Sequence, residues 1–273
     1  MLAAVLLAQA LRAQQTPPLP TGEVRWVVAH GLRLKTKIYR SQSRSEHPRL
    51  LVILHGDSPF HNPSYQYLFA HQVASQIENV VAAAILRPGY TDDSGQKSEG
   101  ERGETTGDNY TPEVVDAIAD AVNQLKTKFQ AEATILVGHS GGAAISANVL
   151  GKWPTAANAA LLVSCPCDLA AWRKHMLKMQ NSSIWLAPVN SLSPMAYAGK
   201  VPLSTRVRMV VGSEDPIAPP EFTQEYAAAL RQHGVRVDVT TAPGMKHDIL
   251  LAPIVLGQLK ILLQTLEEQA NPE

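Results

Sequence analysis

A serine between glycines is the feature of this sequence with the clearest chemical meaning. Residues 138–142 read Gly-His-Ser-Gly-Gly with Ser140 at the centre, an apolar run precedes them and alanines follow. This order predicts a strand, a tight turn and a helix. The turn lifts the serine hydroxyl clear of the sheet, where it is placed to attack a carbonyl carbon. The short pattern is weak evidence alone, so its meaning depends on the partners of Ser140.

A nucleophilic serine needs a base that takes its proton and an acid that orients the base. Asp215 and His247 follow the last two predicted strands, in the order serine, acid, histidine. Loops at the carboxyl ends of parallel strands meet at one edge of a sheet, so we expect these side chains to converge. Asp168 and Glu214 are the other candidates for the acid that orients His247. The non-catalytic alternative for Asp215 is that it begins a turn or caps a helix.

Acyl transfer also needs two N–H donors for the negative oxygen of its transition state. We expect the backbone N–H of Gly141 to be one and that of Asp57, after the strand that ends at residue 54, to be the other. Ser58 is the second choice for this donor and a candidate for the pocket. The Asp57 carboxylate would oppose the anion unless it points outward. His139 is interpreted as a packing residue or an indirect support.

Runs of apolar residues divide the chain into regular elements. Alternating strands and helices after an antiparallel start predict an α/β fold in which a mostly parallel central sheet of about eight strands has helices on both faces, giving three layers. The predicted strands are residues 23–29, 32–39, 50–54, 80–86, 134–137, 159–164, 207–211 and 235–240. The predicted helices follow Ser140, begin near residue 111, and cover residues 220–233 and 248–268.

Two irregular segments are candidates for shaping a pocket. Residues 168–205 interrupt the alternation without a clear strand, and we interpret them as a lid insertion in which Trp172 and Trp185 contact the substrate. The alternative is a surface decoration with its own small apolar cluster. Arg87 and Tyr90 begin a polar loop and are further pocket candidates, although a solvated surface loop is the simpler interpretation.

Composition narrows the classes of function. Apolar residues make up 45% of the 273 residues, enough for a sizeable core. The formal net charge is zero and no block of like charges occurs, which argues against nucleic acid or an anionic membrane surface as partner. The two cysteines, Cys165 and Cys167, are two positions apart, and we expect two buried thiols rather than a disulfide. A metal site would need further ligands, with His175 the nearest candidate.

The first 20 residues form a separate segment. An apolar, alanine-rich run is followed by a proline-rich stretch, which predicts a signal peptide and leader before a domain at residues 21–273. The run lacks a preceding Lys or Arg, so a frayed helix or a start codon assigned too far downstream are alternatives. It is too short to span a bilayer. Export would make the protein secreted or periplasmic; otherwise it is cytoplasmic.

Together these motifs resemble the α/β-hydrolase superfamily, most closely its esterase and prolyl-oligopeptidase-like branches, over about residues 23–266. The motifs that carry the resemblance are residues 54–56, 87–90, 138–142, 212–216 and 244–248. The resemblance implies an eight-stranded sheet, a Ser140–His247–Asp215 triad and an oxyanion hole that includes the Gly141 N–H. The sequence departs from the family pattern at Asp57 and at residues 164–168. These departures leave the identity of the second oxyanion donor and of the substrate open, but not the fold.

Three functions are consistent with this interpretation. The first is a serine hydrolase that cleaves a carboxylic ester through an acyl-enzyme, with a small-molecule ester or short peptide-like substrate and no cofactor or metal. The second is a serine aminopeptidase or amidase, and the third a non-catalytic binding module on the same scaffold. Ser140 disfavours haloalkane dehalogenases and epoxide hydrolases, which need a carboxylate at that position.

Overall fold

The computed structural model describes residues 21–270, so the leader predicted at residues 1–20 lies outside the described residues. Within that range the chain forms eight β-strands and six α-helices. The strands are β1 (Glu23–Ala29), β2 (Leu32–Arg40), β3 (Arg49–Leu54), β4 (Val80–Ile85), β5 (Thr134–His139), β6 (Ala159–Val163), β7 (Arg206–Gly212) and β8 (Arg236–Ala242). The helices are α1 (Tyr65–Gln76), α2 (Pro112–Lys128), α3 (Gly141–Lys152), α4 (Leu169–Gln180), α5 (Pro220–Gln232) and α6 (Pro253–Ala270).

All the strands belong to a single sheet in the order β1-β2-β4-β3-β5-β6-β7-β8. β1 pairs with β2, and β2 with β4, in antiparallel fashion; from β4 to β8 every neighbouring pair is parallel. The predicted fold class, a mostly parallel eight-stranded sheet with an antiparallel start, is confirmed. The parallel part places the carboxyl ends of β3, β5, β6, β7 and β8 along one edge.

Side chains alternate between the two faces of the sheet and build a hydrophobic core on each. In β3, Leu50, Val52 and Leu54 join the core that α2, α3 and α5 cover, whereas Leu51 and Ile53 join the core that α1 and α6 cover. Because both faces are buried, β3 is a continuous apolar run rather than an alternating one. The predicted three layers therefore form.

Two helices differ from the sequence-based expectations. α1 was not predicted, since its buried side chains include Gln66 and its apolar residues show no clear helical spacing. The last helix begins at Pro253 and not near residue 248; proline suits the first helical turn, and the residues before it form a turn in which the Ile249 N–H donates to the His247 carbonyl.

The predicted lid segment, residues 168–205, lies between β6 and β7. No strand occurs in it, as expected, but it is more regular than a loop because it contains α4 and the 3₁₀ helices Ser183–Leu186 and Pro194–Lys200. α4 begins where the Asp168 carboxylate accepts the Ala171 N–H at 3.1 Å, and it ends at Asn181, which has a φ of 48°. Its function as a lid remains a prediction.

The expectation of two free thiols is wrong. Cys165 and Cys167 form a disulfide, and both residues are buried. Their Cα atoms are 5.1 Å apart, within the usual range for a bridge, so the single intervening residue does not prevent it. The preceding residue, Ser164, turns the chain with a φ of 50°. The disulfide therefore lies between the end of β6 and the cap of α4.

Candidate active site

Ser140 occupies the sharp turn between β5 and α3. Its φ of 51° and ψ of −120° lie in a region that L-residues rarely adopt. The turn is so tight that a Cβ on Gly138 would lie 2.3 Å from the Gly142 carbonyl oxygen, and a Cβ on Gly142 would lie 2.5 Å from the His55 carbonyl oxygen. The two glycines of the motif are thus required by close packing of the backbone.

The structure brings Ser140, His247 and Asp215 into one hydrogen-bonded chain. His247 Nε2 lies 2.9 Å from Ser140 Oγ, and His247 Nδ1 lies 3.0 and 2.9 Å from the two Asp215 carboxylate oxygens. The rival acids lie elsewhere: Asp168 caps α4 and Glu214 is exposed. Of the three acids considered, Asp215 is the one that contacts the histidine.

Asp215 is buried, and its surroundings keep it ionised. Burial acts to raise the pKa of its carboxyl group, but the hydrogen bond and charge of His247, the Ala218 N–H and the Ser164 hydroxyl outweigh burial, so the pKa is lowered. The N–H groups of Ile217 and Ala218 both donate to Oδ1 at 2.9 Å. An ionised Asp215 accepts the Nδ1–H of His247, which leaves Nε2 free to accept the proton of Ser140.

His139 holds the loop that carries His247. Sequence analysis interpreted it as a packing residue or an indirect support, without naming its partners. Its Nε2 lies 3.0 Å from the His247 carbonyl oxygen, so Nε2 carries the proton and Nδ1 accepts the Tyr65 hydroxyl at 2.8 Å. Tyr65 in turn accepts the Gly56 N–H. Burial lowers the pKa of His139 to about 4, with the nearby His247 adding to the effect. Ser164 Oγ also donates to the His247 carbonyl at 3.2 Å, so two side chains fix the loop that carries His247.

The predicted oxyanion donors lie beside the nucleophile. Gly141 is the first residue of α3, where N–H groups have no partner within the helix. The loop after β3 packs on Ser140, since a Cβ on Gly56 would lie 3.0 Å from the Ser140 Cβ. The backbone of Asp57 follows directly, so its N–H remains our candidate for the second donor.

The Asp57 side chain does not point outward, although its charge would oppose the anion unless something neutralised it. It is 5% exposed, and its Oδ1 accepts from Arg87 at 2.8 Å while its Oδ2 accepts the Tyr110 hydroxyl at 2.7 Å and the Gly107 N–H at 2.8 Å. A Cβ on Gly141 would lie 2.3 Å from Oδ1. The carboxylate is thus neutralised by a guanidinium and packed under the serine turn.

Three pocket candidates do not line the cavity at Ser140. Arg87 and Tyr90 are fully buried, and Arg87 donates to Asp57 and to Asn109 beneath the site. Ser58 Oγ donates to the His61 carbonyl. Arg87 is held inside because it neutralises a buried carboxylate. The loop that begins at Arg87 is not a fully solvated surface loop, because several of its polar residues are buried; these are Asp92, Ser98 and Asn109.

A cavity of 460 Å³ opens at Ser140 and His247. Trp172 and Trp185, the two candidates from the predicted lid segment, line it, and their rings meet edge to face with centroids 5.4 Å apart. Asp57, the candidate oxyanion donor, also lines it. Sequence analysis missed the other lining residues, since no motif marked them as part of a pocket; these are Pro59, Phe60, Glu104, Thr105, Thr106, Met176, Gln180, Ile184 and Ile217. The cavity lies between the loop after β3, the loop before α2 and the predicted lid segment.

Two other features are absent from residues 21–270. No cluster of three or more His, Cys, Asp or Glu side chains in this range is arranged to hold a metal ion. No helix in the same range is long and apolar enough to cross a membrane.

Solved structures with the same fold include esterases and peptidases. Est1E from Butyrivibrio proteoclasticus, with ferulic acid bound, is 15% identical with a TM-score of 0.68 over 89% of this chain and 99% of its own. A Mycobacterium smegmatis proline iminopeptidase is 13% identical with a TM-score of 0.67 over 91% and 100%. A Pyrococcus horikoshii acylaminoacyl peptidase is 15% identical with a TM-score of 0.67 over 92% of this chain, which spans 42% of that protein. Such low identities show the fold alone.

The chain's sequence gives the family. No curated protein matches it closely enough to be counted as a relative. The profile of the alpha/beta hydrolase family, in contrast, matches residues 51–188, which run from β3 through the serine turn into the predicted lid segment. On this match, which covers half of the sequence, the chain belongs to the alpha/beta hydrolase family.

Proposed function

We propose that this protein is a serine hydrolase that cleaves carboxylic esters through an acyl-enzyme intermediate. The hydrogen-bonded chain from Asp215 through His247 to the Ser140 hydroxyl carries the proposal, since each contact has the length and order that nucleophilic catalysis needs. The strained backbone of Ser140 is a second support, because strain of this kind persists where surrounding structure enforces it for function.

The residues divide the reaction into two steps. Ser140 Oγ attacks the ester carbonyl carbon while His247 Nε2 takes its proton, and Asp215 stabilises the imidazolium. The Gly141 and Asp57 N–H groups bind the negative oxygen. The tetrahedral species collapses, the alcohol leaves with the proton from His247, and Ser140 carries the acyl group. Water then attacks the carbonyl carbon of the acyl-enzyme while His247 takes one of its protons. The carboxylic acid leaves with the hydroxyl group of the water, and the proton on His247 returns to Ser140.

The cavity favours an ester over a peptide. An aminopeptidase grips the ammonium group of its substrate with carboxylates, and Asp57 is already paired with Arg87. Among the cavity-lining residues this leaves Glu104, which is exposed and therefore well hydrated. Glu104 is the specific observation for the second candidate function, a serine aminopeptidase or amidase. If the protein is such a peptidase, Glu104→Gln should abolish cleavage of substrates with a free amino group and leave ester cleavage unchanged.

The first experiment is fluorophosphonate labelling read by intact mass, on wild type beside Ser140→Ala. One adduct on wild type and none on the folded variant supports an activated serine at this position. No adduct on folded wild type would favour the third hypothesis, a binding module. A phenyl acetate and acetanilide pair then separates ester from amide cleavage, because the two substrates differ only in the leaving atom.

We propose that the protein acts outside the cytoplasm, in the periplasm or after secretion. The Cys165–Cys167 disulfide supports this, since such bridges persist in oxidising compartments. Expression with the leader, followed by intact mass of the exported protein, tests the proposal. A mass that still includes residues 1–20, in a protein retained inside the cell, contradicts it.

A further inference from the structure

The cavity at Ser140 is far larger than a small acyl group requires. Its 460 Å³ lie within the range of sites that enclose drug-sized ligands. The wall built by the predicted lid segment consists largely of apolar side chains, namely Trp172, Met176, Ile184 and Trp185. Phe60, from the loop after β3, also lines the cavity and is 88% exposed, so a ligand in the cavity would cover an aromatic ring that now faces water.

Trp172 is fixed in place from three directions. Its indole N–H donates to the Ile217 carbonyl at 2.7 Å. Its ring presses on Gly107, where a Cβ would lie 2.3 Å from Cζ3. The Trp185 ring meets it edge to face, at an interplanar angle of 86°. Trp172 is therefore a rigid aromatic surface that needs no reorganisation when a ligand binds.

Trp185 offers the same kind of surface. Its indole N–H donates to Gln180 Oε1 at 2.9 Å, so the polar atoms of both tryptophans are already used by the protein. A ligand group on this wall meets those parts of the two indole rings and of Met176 that line the cavity, but no free indole donor. Ring edges, ring faces and thioethers are the surfaces that aromatic groups contact most favourably.

We propose that this cavity binds an aromatic ring of the substrate, so that the protein prefers esters carrying an aryl group, on either side of the scissile bond, over esters of the same linkage without one. The inference rests on the proposed function, because the cavity is shared with Ser140 and His247. It goes further in naming the substrate class and the residues that select it, Trp172 and Trp185.

The test compares four methyl or acetyl esters on wild type: methyl acetate, methyl phenylpropanoate, methyl cyclohexylpropanoate and phenylethyl acetate. Burial of about 100 Å² of ring surface predicts a kcat/KM roughly 50-fold above methyl acetate for at least one aryl ester. The saturated ring is the matched control, and we expect the phenyl ester to exceed it about 5-fold. Equal values for the phenyl and cyclohexyl esters, or for aryl esters and methyl acetate, overturn the inference.

Variants locate the preference. Trp185→Leu keeps an apolar side chain and should lower kcat/KM for the aryl ester about 5-fold more than kcat/KM for methyl acetate. Leu186→Ala is the control, since this neighbour is 68% exposed and does not line the cavity. Should Trp185→Leu fail to fold, Thr106→Phe is the second variant. Its ring takes up part of the cavity from the loop before α2 and should reduce cleavage of the aryl ester more than cleavage of methyl acetate. Equal effects on both esters contradict the assignment.

Binding to Ser140→Ala separates the two proposals. This variant cannot form an acyl-enzyme, so tryptophan fluorescence reports the intact ester. Tighter binding of methyl phenylpropanoate than of its cyclohexyl analogue, with no turnover by wild type, supports the aryl site and overturns the proposed hydrolysis. Turnover by wild type without this difference in binding leaves the hydrolysis standing and overturns the aryl site.

Discussion

Lowering the pH should destabilise the protein through His139 well before the carboxylates are protonated. In the folded chain the pKa of His139 is about 4, against 6.5 for an ordinary histidine, chiefly because the ring is buried. Its Nδ1 accepts from the Tyr65 hydroxyl and its Nε2–H donates to the His247 carbonyl. A second proton would sit on Nδ1, where it would point at the hydrogen of the Tyr65 hydroxyl, and it would place a positive charge in the interior.

The sign follows from the two pKa values. Below pH 6.5 the unfolded chain binds a proton at this residue, whereas the folded chain does so only near pH 4. The stabilisation is therefore complete above the unfolded value, is lost as the pH falls from 6.5 to about 4, and changes no further below that. At about 1.4 kcal/mol for each pH unit, the total loss is about 3 kcal/mol.

Urea unfolding of wild type and His139→Gln at several pH values between about 7.5 and 4 measures this loss. The free energy of unfolding of wild type should fall about 3 kcal/mol further than that of the variant over this range. His55 is also buried with a lowered pKa, but it is present in both proteins and cancels in the difference. His61→Gln, at an exposed site, should follow wild type. Parallel curves for wild type and His139→Gln would refute the reasoning.

Four further variants test other parts of the site. Asp215→Asn should lower kcat about 1,000-fold or more with little change in KM, whereas Asp168→Ala should cost about 1 kcal/mol of stability through its lost helix cap. A large loss of kcat in Asp168→Ala with little loss in Asp215→Asn would show that Asp215 is the wrong acid. Replacing Cys165 and Cys167 by alanine should lower the free energy of unfolding by about 1.5 kcal/mol in the chain-entropy account of disulfides, and equal urea midpoints with and without the bridge would contradict it. Asp57→Asn should cost about 3 kcal/mol, because it leaves a buried guanidinium without its counter-charge, and an unchanged melting temperature would oppose this account.

Local patterns made most of the sheet predictable. Strands buried on both faces are continuous apolar runs, and the serine turn needs glycines at fixed positions, so both leave a signal within a few residues. α1 left none, because it buries polar Gln66 beside its apolar side chains and lacks a regular apolar stripe. The disulfide was excluded from sequence separation alone, although the distance between the Cα atoms decides whether a bridge forms.

The residues around the site were harder to predict because their partners are far apart in the chain. Ser140, Asp215 and His247 follow strands in a recognisable order, so their convergence could be expected from topology. Nothing near Tyr65 or Ser164 in the sequence indicates that one supports His139 and the other the His247 carbonyl. Such roles depend on contacts between elements that only the folded sheet brings together.

Asp57 shows how these distant contacts change the meaning of a local pattern. An acidic residue beside the proposed oxyanion donors would oppose catalysis if its charge faced the forming anion. Here Arg87 neutralises that charge, and the Tyr110 hydroxyl and the Gly107 N–H occupy the second carboxylate oxygen. The carboxylate then fixes the loop after β3 and the loop before α2 to each other, directly beneath Gly141. Because Gly107 also packs on Trp172, the same carboxylate links the proposed oxyanion site to the aromatic wall of the cavity.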